Sequence, residues 1–542
     1  VIGAAGSAAF WLAPTRRAFA ETEFTRPDIA SAAGKKMIDL YAKAVGAMQN
    51  PAINYPPQPQ SWTFQAYMHA VPANPFDPAN SGGLRGKALQ ERIDQIYGRP
   101  AEGTPAAKWK EAAQKCWATC QHSSPYFTTW HRWYLYYFER ICRKMSGSPD
   151  FALPYWNYGS DQSASLQLPA AFTTFPDDPS QTNPLYFDDR GLGFASGAAT
   201  GDQNVAMNAG GFMPYSQVRY DVALASKPMF PADSGNVNTD PTSRVYVGYG
   251  LSGRLETAPH DNVHVGVGGW MGNVPSAAGD PIFFVHHCQV DRLYASWEAE
   301  PGATYNFGTT PSDPDEKTWR HGQTAYFADE NGAVVKVVVG DAVDTKTLHY
   351  QYDKLAKPPA AAAAVAAAAP LAGPPLELAA AEAKGVAVSR GAAAITLAPL
   401  PEIEAAPRAE ASGPPAGSTL VLSGIKLRRR PPAPLSVFIN MPAGTPPRLH
   451  NPYYVGTLNL FNFDLGAGSP MSHGGDEEMP DMPEHQMPGG VARFDVGAVL
   501  RRQLADGLWN DGPITVTIST IGADAGSAPA TYVTIDSIKL TP

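Results

Sequence analysis

From about residue 355 to 417 the chain is written almost entirely in alanine, proline, glutamate and glycine. Such a stretch carries too few large apolar side chains to offset the entropy of ordering it. One hydrophobic core is therefore not expected to run across it, and the chain reads as two folded units joined by an Ala/Pro-rich linker over 356–417. The length of 542 residues agrees, because a single core rarely grows past roughly 300 residues.

The two sides of this stretch differ in hydrophobic period. Ahead of it the period is helical. Between Pro27 and Asn50, Met37, Tyr41, Ala44/Val45 and Met48 recur on one face. A second helix fits Trp130 to Lys144, with Gly147 and Pro149 as its stop signals, and a third fits Asp280 to Trp297. From about 160 to 250 the text is rich in Gly, Pro, Asp, Asn and Ser and reads as long loops. Beyond the linker the period is two, from Leu420/Leu422 through Ile514/Val516/Ile518 to Ile538/Leu540. Residues 418–542 are thus expected to form an all-β unit, a sandwich or a barrel.

A formal net charge of −9 argues against nucleic acid as a partner. Outside the alanine-rich stretch no apolar run is long enough for a membrane span, so no membrane partner is expected. The first twenty residues are small and apolar with a late Arg16-Arg17 pair, and end in Ala18-Phe19-Ala20 before Glu21. They resemble the remnant of an export signal with its cleavage site, which favours a periplasmic or secreted protein, a cytoplasmic one remaining the alternative. Four cysteines, Cys116, Cys120, Cys142 and Cys288, are too few for a disulfide scaffold.

Seven of the twelve histidines fall into two groups, His69, His122 and His131, and His260, His264, His286 and His287. His260 and His264 stand one helical turn apart, so both imidazoles share a face and can hold one ion. His286 and His287 are neighbours about 100° apart on a helix, so one completes that site and the other lies behind it. All-imidazole donors suit zinc, copper, iron or nickel. The lack of carboxylate ligands disfavours an iron triad, and structural zinc prefers cysteine or mixed sites. Six neutral imidazoles leave the ions' charge for an anionic bridge to balance. A binuclear site, with copper favoured, follows from the residues alone.

The residues around these histidines resemble a known family. His122-Ser-Ser-Pro-Tyr-Phe-Thr-Thr-Trp-His131-Arg132-Trp-Tyr-Leu with Glu139 is similar to the copper-A signature of tyrosinases, catechol oxidases and molluscan hemocyanins. Pro259-His260-Asp261-Asn262-Val263-His264, then Asp280-Pro281-Ile282-Phe283-Phe284-Val285-His286-His287 and Val290-Asp291-Arg292, resembles the copper-B signature. The resemblance covers residues 21–355 and implies a mainly α catalytic unit, an antiparallel four-helix bundle with long loops. It implies two copper ions, one on His69, His122 and His131 and the other on His260, His264 and His287, with O2 as co-substrate. Tyr350-Gln-Tyr352 resembles the motif that ends such units, with Arg26 as its N-terminal partner. Cys120 and His122 resemble a Cys-x-His pair that forms a thioether.

The implied chemistry is o-hydroxylation of monophenols and oxidation of o-diphenols to o-quinones. Small phenols are then the partners, alone or with a second copy of the chain. Glu256 matches a glutamate that orients a water as base, with Asp261 as a second acceptor. Val274 stands where plant enzymes often carry a shielding Phe, which predicts an open pocket lined by Phe283 with Val265 at its entrance. The β-rich unit resembles a domain that caps the active site, with Tyr453, Tyr454 and Phe461 as candidates to enter it. Thioethers suit Cu(I), so Met471–Met487, with His473 and His485, is a candidate copper relay. The competing readings are a catechol or o-aminophenol oxidase without the hydroxylation step, and a hemocyanin-like oxygen carrier.

Overall fold

The structure, a computed structural model, describes residues 23–122, 126–158, 168–174, 182–187, 189–190, 255–299, 316–356, 381–389, 393–399, 418–429, 431, 435–445, 452–458, 460–461, 490–510, 512–520 and 531–541. The export-signal reading, most of the 160–250 loops and the Met471–Met487 relay lie outside these residues.

Among the described residues the α-helices that matter for the site are α1 Ala32–Met48, α2 Trp62–His69, α3 Gly86–Tyr97, α4 Pro105–Cys116, α5 Phe127–Ser146, α6 Asn262–Val267 and α7 Ile282–Glu298, with shorter ones at Pro51–Asn54, Val274–Ala277 and Glu316–His321. Caps fix several starts: Ser31, Ser61 and Thr104 each accept a bond from an N–H of the first turn. Gly147 in the left-handed region closes α5, as its stop signal predicts. α5 runs centrally and packs against both α1 and α7. Phe138 of α5 lies flat on Phe284 of α7 at 3.4 Å, with Trp62 edge-on to both at 6.2 and 5.7 Å. The helical core is therefore aromatic where the two signature helices cross.

Among the described residues four strands serve this unit: β1 Phe24–Arg26, β2 Thr324–Ala328, β3 Val334–Val338 and β4 Tyr350–Tyr352. β1 and β4 pair in parallel with Arg26 opposite Tyr352, so the two ends of the unit are tied together. The tie is ionic as well. Arg26 donates to Glu139, Asp291 and Tyr352 Oη, and its guanidinium lies 3.7 Å over the Tyr350 ring. Arg132 reaches Asp291 from α5, and both tyrosine hydroxyls donate to the same carboxylate.

The C-terminal strands are β5 Ala381–Ser389, β6 Ala393–Thr396, β7 Ala398–Pro399, β8 Thr419–Leu427, β9 Leu435–Ile439, β10 Tyr454–Leu458, β11 Gly490–Asp495, β12 Thr515–Thr520 and β13 Thr531–Thr541, with α8 Gly497–Ala505. They form two open antiparallel sheets, β10-β9-β12-β6 and β11-β8-β13-β5-β7. Leu420, Leu422, Ile538 and Leu540 of one sheet share a core with Val437, Ile439, Val516 and Ile518 of the other. Of the two expected architectures this is the sandwich; neither sheet closes into a barrel.

One expectation fails in part. β5, β6 and β7 fall within the segment read as linker. β5 pairs along β13 from Leu540–Ala381 to Thr531–Ser389. Ala381-Glu-Ala-Lys-Gly-Val-Ala-Val-Ser shows no continuous apolar alternation because its inward positions shift at Gly385, which has a positive φ: Ala383 packs on the core before it, Val386 and the buried Val388 after it. The long β13 supplies the missing stability by offering a full edge of unpaired backbone groups.

Candidate metal centre

The first cluster draws on three elements. His69 ends α2, and its Nδ1–H donates to the Val274 carbonyl at 3.1 Å. His122 lies ahead of α5, two residues after Cys120. His131 sits in the second turn of α5 rather than at its start, because the helix begins four residues earlier at Phe127. That early start gives His131 its anchor: Nδ1 lies 2.7 Å from the Phe127 carbonyl, the oxygen one helical turn back. The ring centroids of His69 and His122 are 5.0 Å apart, and those of His122 and His131 5.2 Å.

The second cluster begins on a π-helical turn, Glu256–Asp261, that runs into α6. Pro259 inside it has no N–H to give the helical ladder, and such wide turns recur at functional sites. His260 and His264 still converge, with centroids 4.5 Å apart. His260 Nδ1 lies 2.7 Å from Asp261 Oδ1 and 3.2 Å from the Glu256 carbonyl. His264 Nδ1–H donates to the Met271 carbonyl at 2.9 Å. In α7, His287 brings Nε2 within 3.3 Å of His264 Nε2. His286 turns Nδ1 toward Tyr158 Oη at 3.1 Å.

The clusters face one another. His131 and His287 stack at 4.5 Å with planes 15° apart, and His122 lies 5.6 Å from His260. All seven imidazoles are buried. Burial, aided by neighbouring imidazoles, pushes His69, His260, His264, His286 and His287 well below the usual histidine range, and burial pushes His131 down to about 3. These six rings are thus neutral and keep lone pairs for a metal.

The donor set fits a metal pair. One candidate ligand atom from each of His69, Cys120, His122 and His131 lies within 4.8 Å of the others, and the same holds for His260, His264, His286 and His287. With Nδ1 held by the Val274 carbonyl in His69 and by the Asp261 side chain in His260, the Nε2 atoms of both are buried with no hydrogen-bond partner among the described residues. Orphaned buried nitrogens are costly unless something binds them. His264 and His287 turn two like nitrogens toward each other, which a cation between them would reconcile.

The remaining expected residues fall as follows. Cys120 Sγ lies 3.4 Å from His122 Nδ1 and 3.3 Å from His131 Nε2. Glu256 and Asp261 are both buried; burial, then the Glu256 charge, raises the Asp261 carboxyl well above its usual value. Phe283 touches the His287 ring at 4.1 Å and the His69 ring at 4.9 Å, and Val265 is half-buried. Val274 is buried and meets the site through its carbonyl. Of the three candidate capping residues, Phe461 reaches the histidines, stacking on His264 at 4.0 Å and 16°. Tyr453 packs with Phe438 and Met441 inside the β-rich unit, and Tyr454 lies against Phe438.

Sequence reasoning missed three supports. Tyr158 faces His286. Asp280, beyond starting the copper-B motif, receives Arg190 at two oxygens, each 2.6 Å away, and accepts the Ile282 N–H. The carbonyls of Val274 and Met271 carry no side-chain signal at all. Among the described residues no helix is long and apolar enough to cross a membrane.

Comparison with known proteins gives the same picture. The model of the common central domain of tyrosinase matches residues 59–300, and the polyphenol oxidase middle domain matches 323–363. A tyrosinase from Hahella sp. is 30% identical over 330 residues, 58% of this chain and 60% of that protein. A chloroplastic polyphenol oxidase of Spinacia oleracea is 31% identical over 259 residues, 43% of this chain and 37% of that protein. The chain thus spans under two thirds of each of these relatives. A latent aurone synthase (polyphenol oxidase) structure shares the fold at a TM-score of 0.51 and 22% identity, covering 96% of this chain and 89% of that one. With two long signatures matched in order and both histidine clusters assembled, the chain belongs to the tyrosinase and polyphenol oxidase family.

Proposed function

We propose that the chain is a binuclear copper phenol oxidase that o-hydroxylates monophenols and oxidises o-diphenols to o-quinones with O2. The observation that carries this is the pair of buried histidine clusters facing each other across α5, α6 and α7. His69, His122 and His131 would hold one ion; His260, His264 and His287 the other. Bound copper supplies the redox capacity to reduce oxygen and oxidise a phenol. The protein's own residues do the rest. Phe283 offers the phenol ring an apolar wall. Glu256, through a water, takes the proton the phenol hydroxyl must lose before it can approach a metal. Asp261 holds the His260 imidazole.

Phe461 supports a second reading, that the β-rich unit keeps the enzyme latent. Its ring lies face-on to His264, where a substrate ring would stack. Leu458 and Leu460 belong to the β core and Phe461 to the helical core. The chain therefore crosses between units within three residues, and withdrawal of the β unit would carry Phe461 away.

The test is oxygen uptake by the copper-loaded chain with tyramine and then a catechol, for the full chain and for Phe461→Ala. Low activity in the full chain, with a gain of about ten-fold or more in the variant, supports an apolar occupant worth at least ~1.4 kcal/mol. Catechol oxidation without tyramine hydroxylation would leave a catechol oxidase. No oxidation in either protein would leave an oxygen carrier. A truncation for the same purpose must remove residues from before Ala381, because a cut near 417 strands β5, β6 and β7 without their sheets.

A further inference from the structure

Five of the six proposed metal-binding imidazoles have a neighbour at Nδ1: carbonyls for His69, His131 and His264, a carboxylate for His260 and a sulfur for His122. His287 is the exception. Its Nε2 faces His264, and its Nδ1 is buried without a hydrogen-bond partner among the described residues. A cavity of about 10 Å³ lies behind it, lined by Phe127, Thr128 and His131 of α5 and by His287, Val290, Asp291 and Tyr294 of α7. The α7 residues follow helical spacing, so the cavity runs along one face of that helix, beside the stacked His131 and His287 rings. Thr128 Oγ1, also buried, has no hydrogen-bond partner among the described residues. Among the described residues Asp291 Oδ1 receives Arg132 Nε at 2.6 Å and no other donor, whereas Oδ2 receives Arg26, Tyr350 and Tyr352. A carboxylate oxygen accepts about two bonds, so Oδ1 has capacity left.

We propose that this cavity is a site for one structural water, which accepts from His287 Nδ1–H, donates to Asp291 Oδ1 and takes Thr128 Oγ1 as a third partner. The room matches the need, since one water requires about 10–15 Å³ and two to four polar partners. The water fixes the His287 tautomer with its Nε2 lone pair toward the metal. It also links that imidazole to the Arg26–Asp291–Arg132 ion network, whose negative oxygen makes the ring a better donor. Thr128 is then a positioning residue acting through the water. The proposal rests on His287 being a ligand, which belongs to the function proposed above.

The experiment has two arms. The first is a high-resolution crystal structure of the metal-free protein and of its Thr128→Val variant, with no copper needed. Density for one water within hydrogen-bond distance of His287 Nδ1 and Asp291 Oδ1 in the wild type, weakened or lost in the variant, is expected. An empty wild-type cavity, or a direct bond from His287 to Asp291, overturns the proposal. The second is copper loss to a competing chelator. T128V should shed one of two copper ions about ten-fold more readily, the low end of effects at residues behind metal ligands, and Thr128→Ser should restore retention. Equal retention in all three proteins overturns the positioning role. A wild type that binds fewer than two coppers would instead refute the proposed function, while the crystallographic arm still decides the water.

Discussion

The two histidine clusters present the same donor atoms but are held by different means. In the first, His69 and His131 are anchored by main-chain carbonyls, and His122 sits beside a sulfur. In the second, His260 is anchored by a carboxylate of its own sequence neighbour, and His287 by nothing direct among the described residues. The carbonyl that holds His69 comes from Val274, between the two copper-B segments, so the first site depends on the second unit of sequence being folded. A carbonyl survives any side-chain change, whereas a carboxylate does not. The first cluster should therefore tolerate substitution around it, and the second should be sensitive.

Removing a ligand gives the largest expected effect and does not separate the clusters. Either His131→Ala or His264→Ala should halve the bound copper and abolish oxygen uptake with any phenol. His264→Ala should in addition release Phe461, whose ring it stacks against. Metal analysis that finds both coppers retained in either variant would remove that histidine from the ligand set.

What joins the clusters comes next. Arg132 and Glu139 on α5 are tied to Asp291 on α7 through direct contact and through Arg26. Burial alone would raise the Glu139 and Asp291 carboxyls, but Arg26 with Arg143, and Arg132 with Arg26, hold them below the usual carboxylate range. Glu139→Gln leaves buried guanidinium charge uncompensated and should cost about 3–5 kcal/mol of stability. The same network sets a sign for acid. A carboxyl whose folded pKa is depressed contributes stability that is full above its unfolded value, about 4, and is lost as pH falls through the lower folded value. The wild type should lose stability below about pH 4, and Glu139→Gln should show a shallower slope there. Parallel slopes would mean the network carries no such linkage.

The carboxylate anchor is where the clusters should part. Asp261→Ala removes the partner of His260 Nδ1 and should weaken copper retention at that site about 10–100-fold. Asp261→Asn keeps an acceptor oxygen and should retain most of it. Val274→Ala, which keeps the carbonyl bonded to His69, should leave retention at the first site unchanged. Equal copper loss from Asp261→Ala and Val274→Ala would erase the distinction.

The same contrast explains what could be read from the chain. Histidine placement, the helices of α1, α5 and α7, and the Arg26–Tyr350–Tyr352 tie are side-chain patterns, and the structure assembles them as expected. Phe461 was one of three aromatic candidates, because sequence alone does not say which end of a strand faces another unit. The anchors at Val274 and Met271 are carbonyls, which every residue has. β5 is hidden because its inward positions, Ala383, Val386 and Val388, change face at Gly385 and break the alternation, and its pairing depends on β13, some 150 residues later. The π turn at Glu256–Asp261 keeps helical spacing of His260 and His264 while changing the ladder beneath. In each case the missing information is a main-chain or long-range fact that no local residue type encodes.

Cys120 gives the smallest effect and probes the one member of the first cluster that no helix holds. His122 is outside any helix, so its ring orientation depends on what touches it. Cys120 Sγ is buried near both His122 and His131, and burial, then the Glu256 charge, raises its thiol well above the usual value, with Arg85 opposing. An unreacted thiol there is a neutral neighbour and a poor metal ligand. A thioether to His122 would instead fix the ring, with oxygen taking the electrons and the thiol and ring hydrogens lost. Intact mass of the copper-loaded, aerated protein should then be lower than the sequence mass by those hydrogens, and Cys120→Ser should abolish the deficit. Fixing one side chain saves on the order of 1 kcal/mol of ordering entropy, so copper retention at the first site should fall roughly five-fold in the serine variant. A full sequence mass together with unchanged retention would make Cys120 a packing residue and leave the first cluster held by main-chain carbonyls alone.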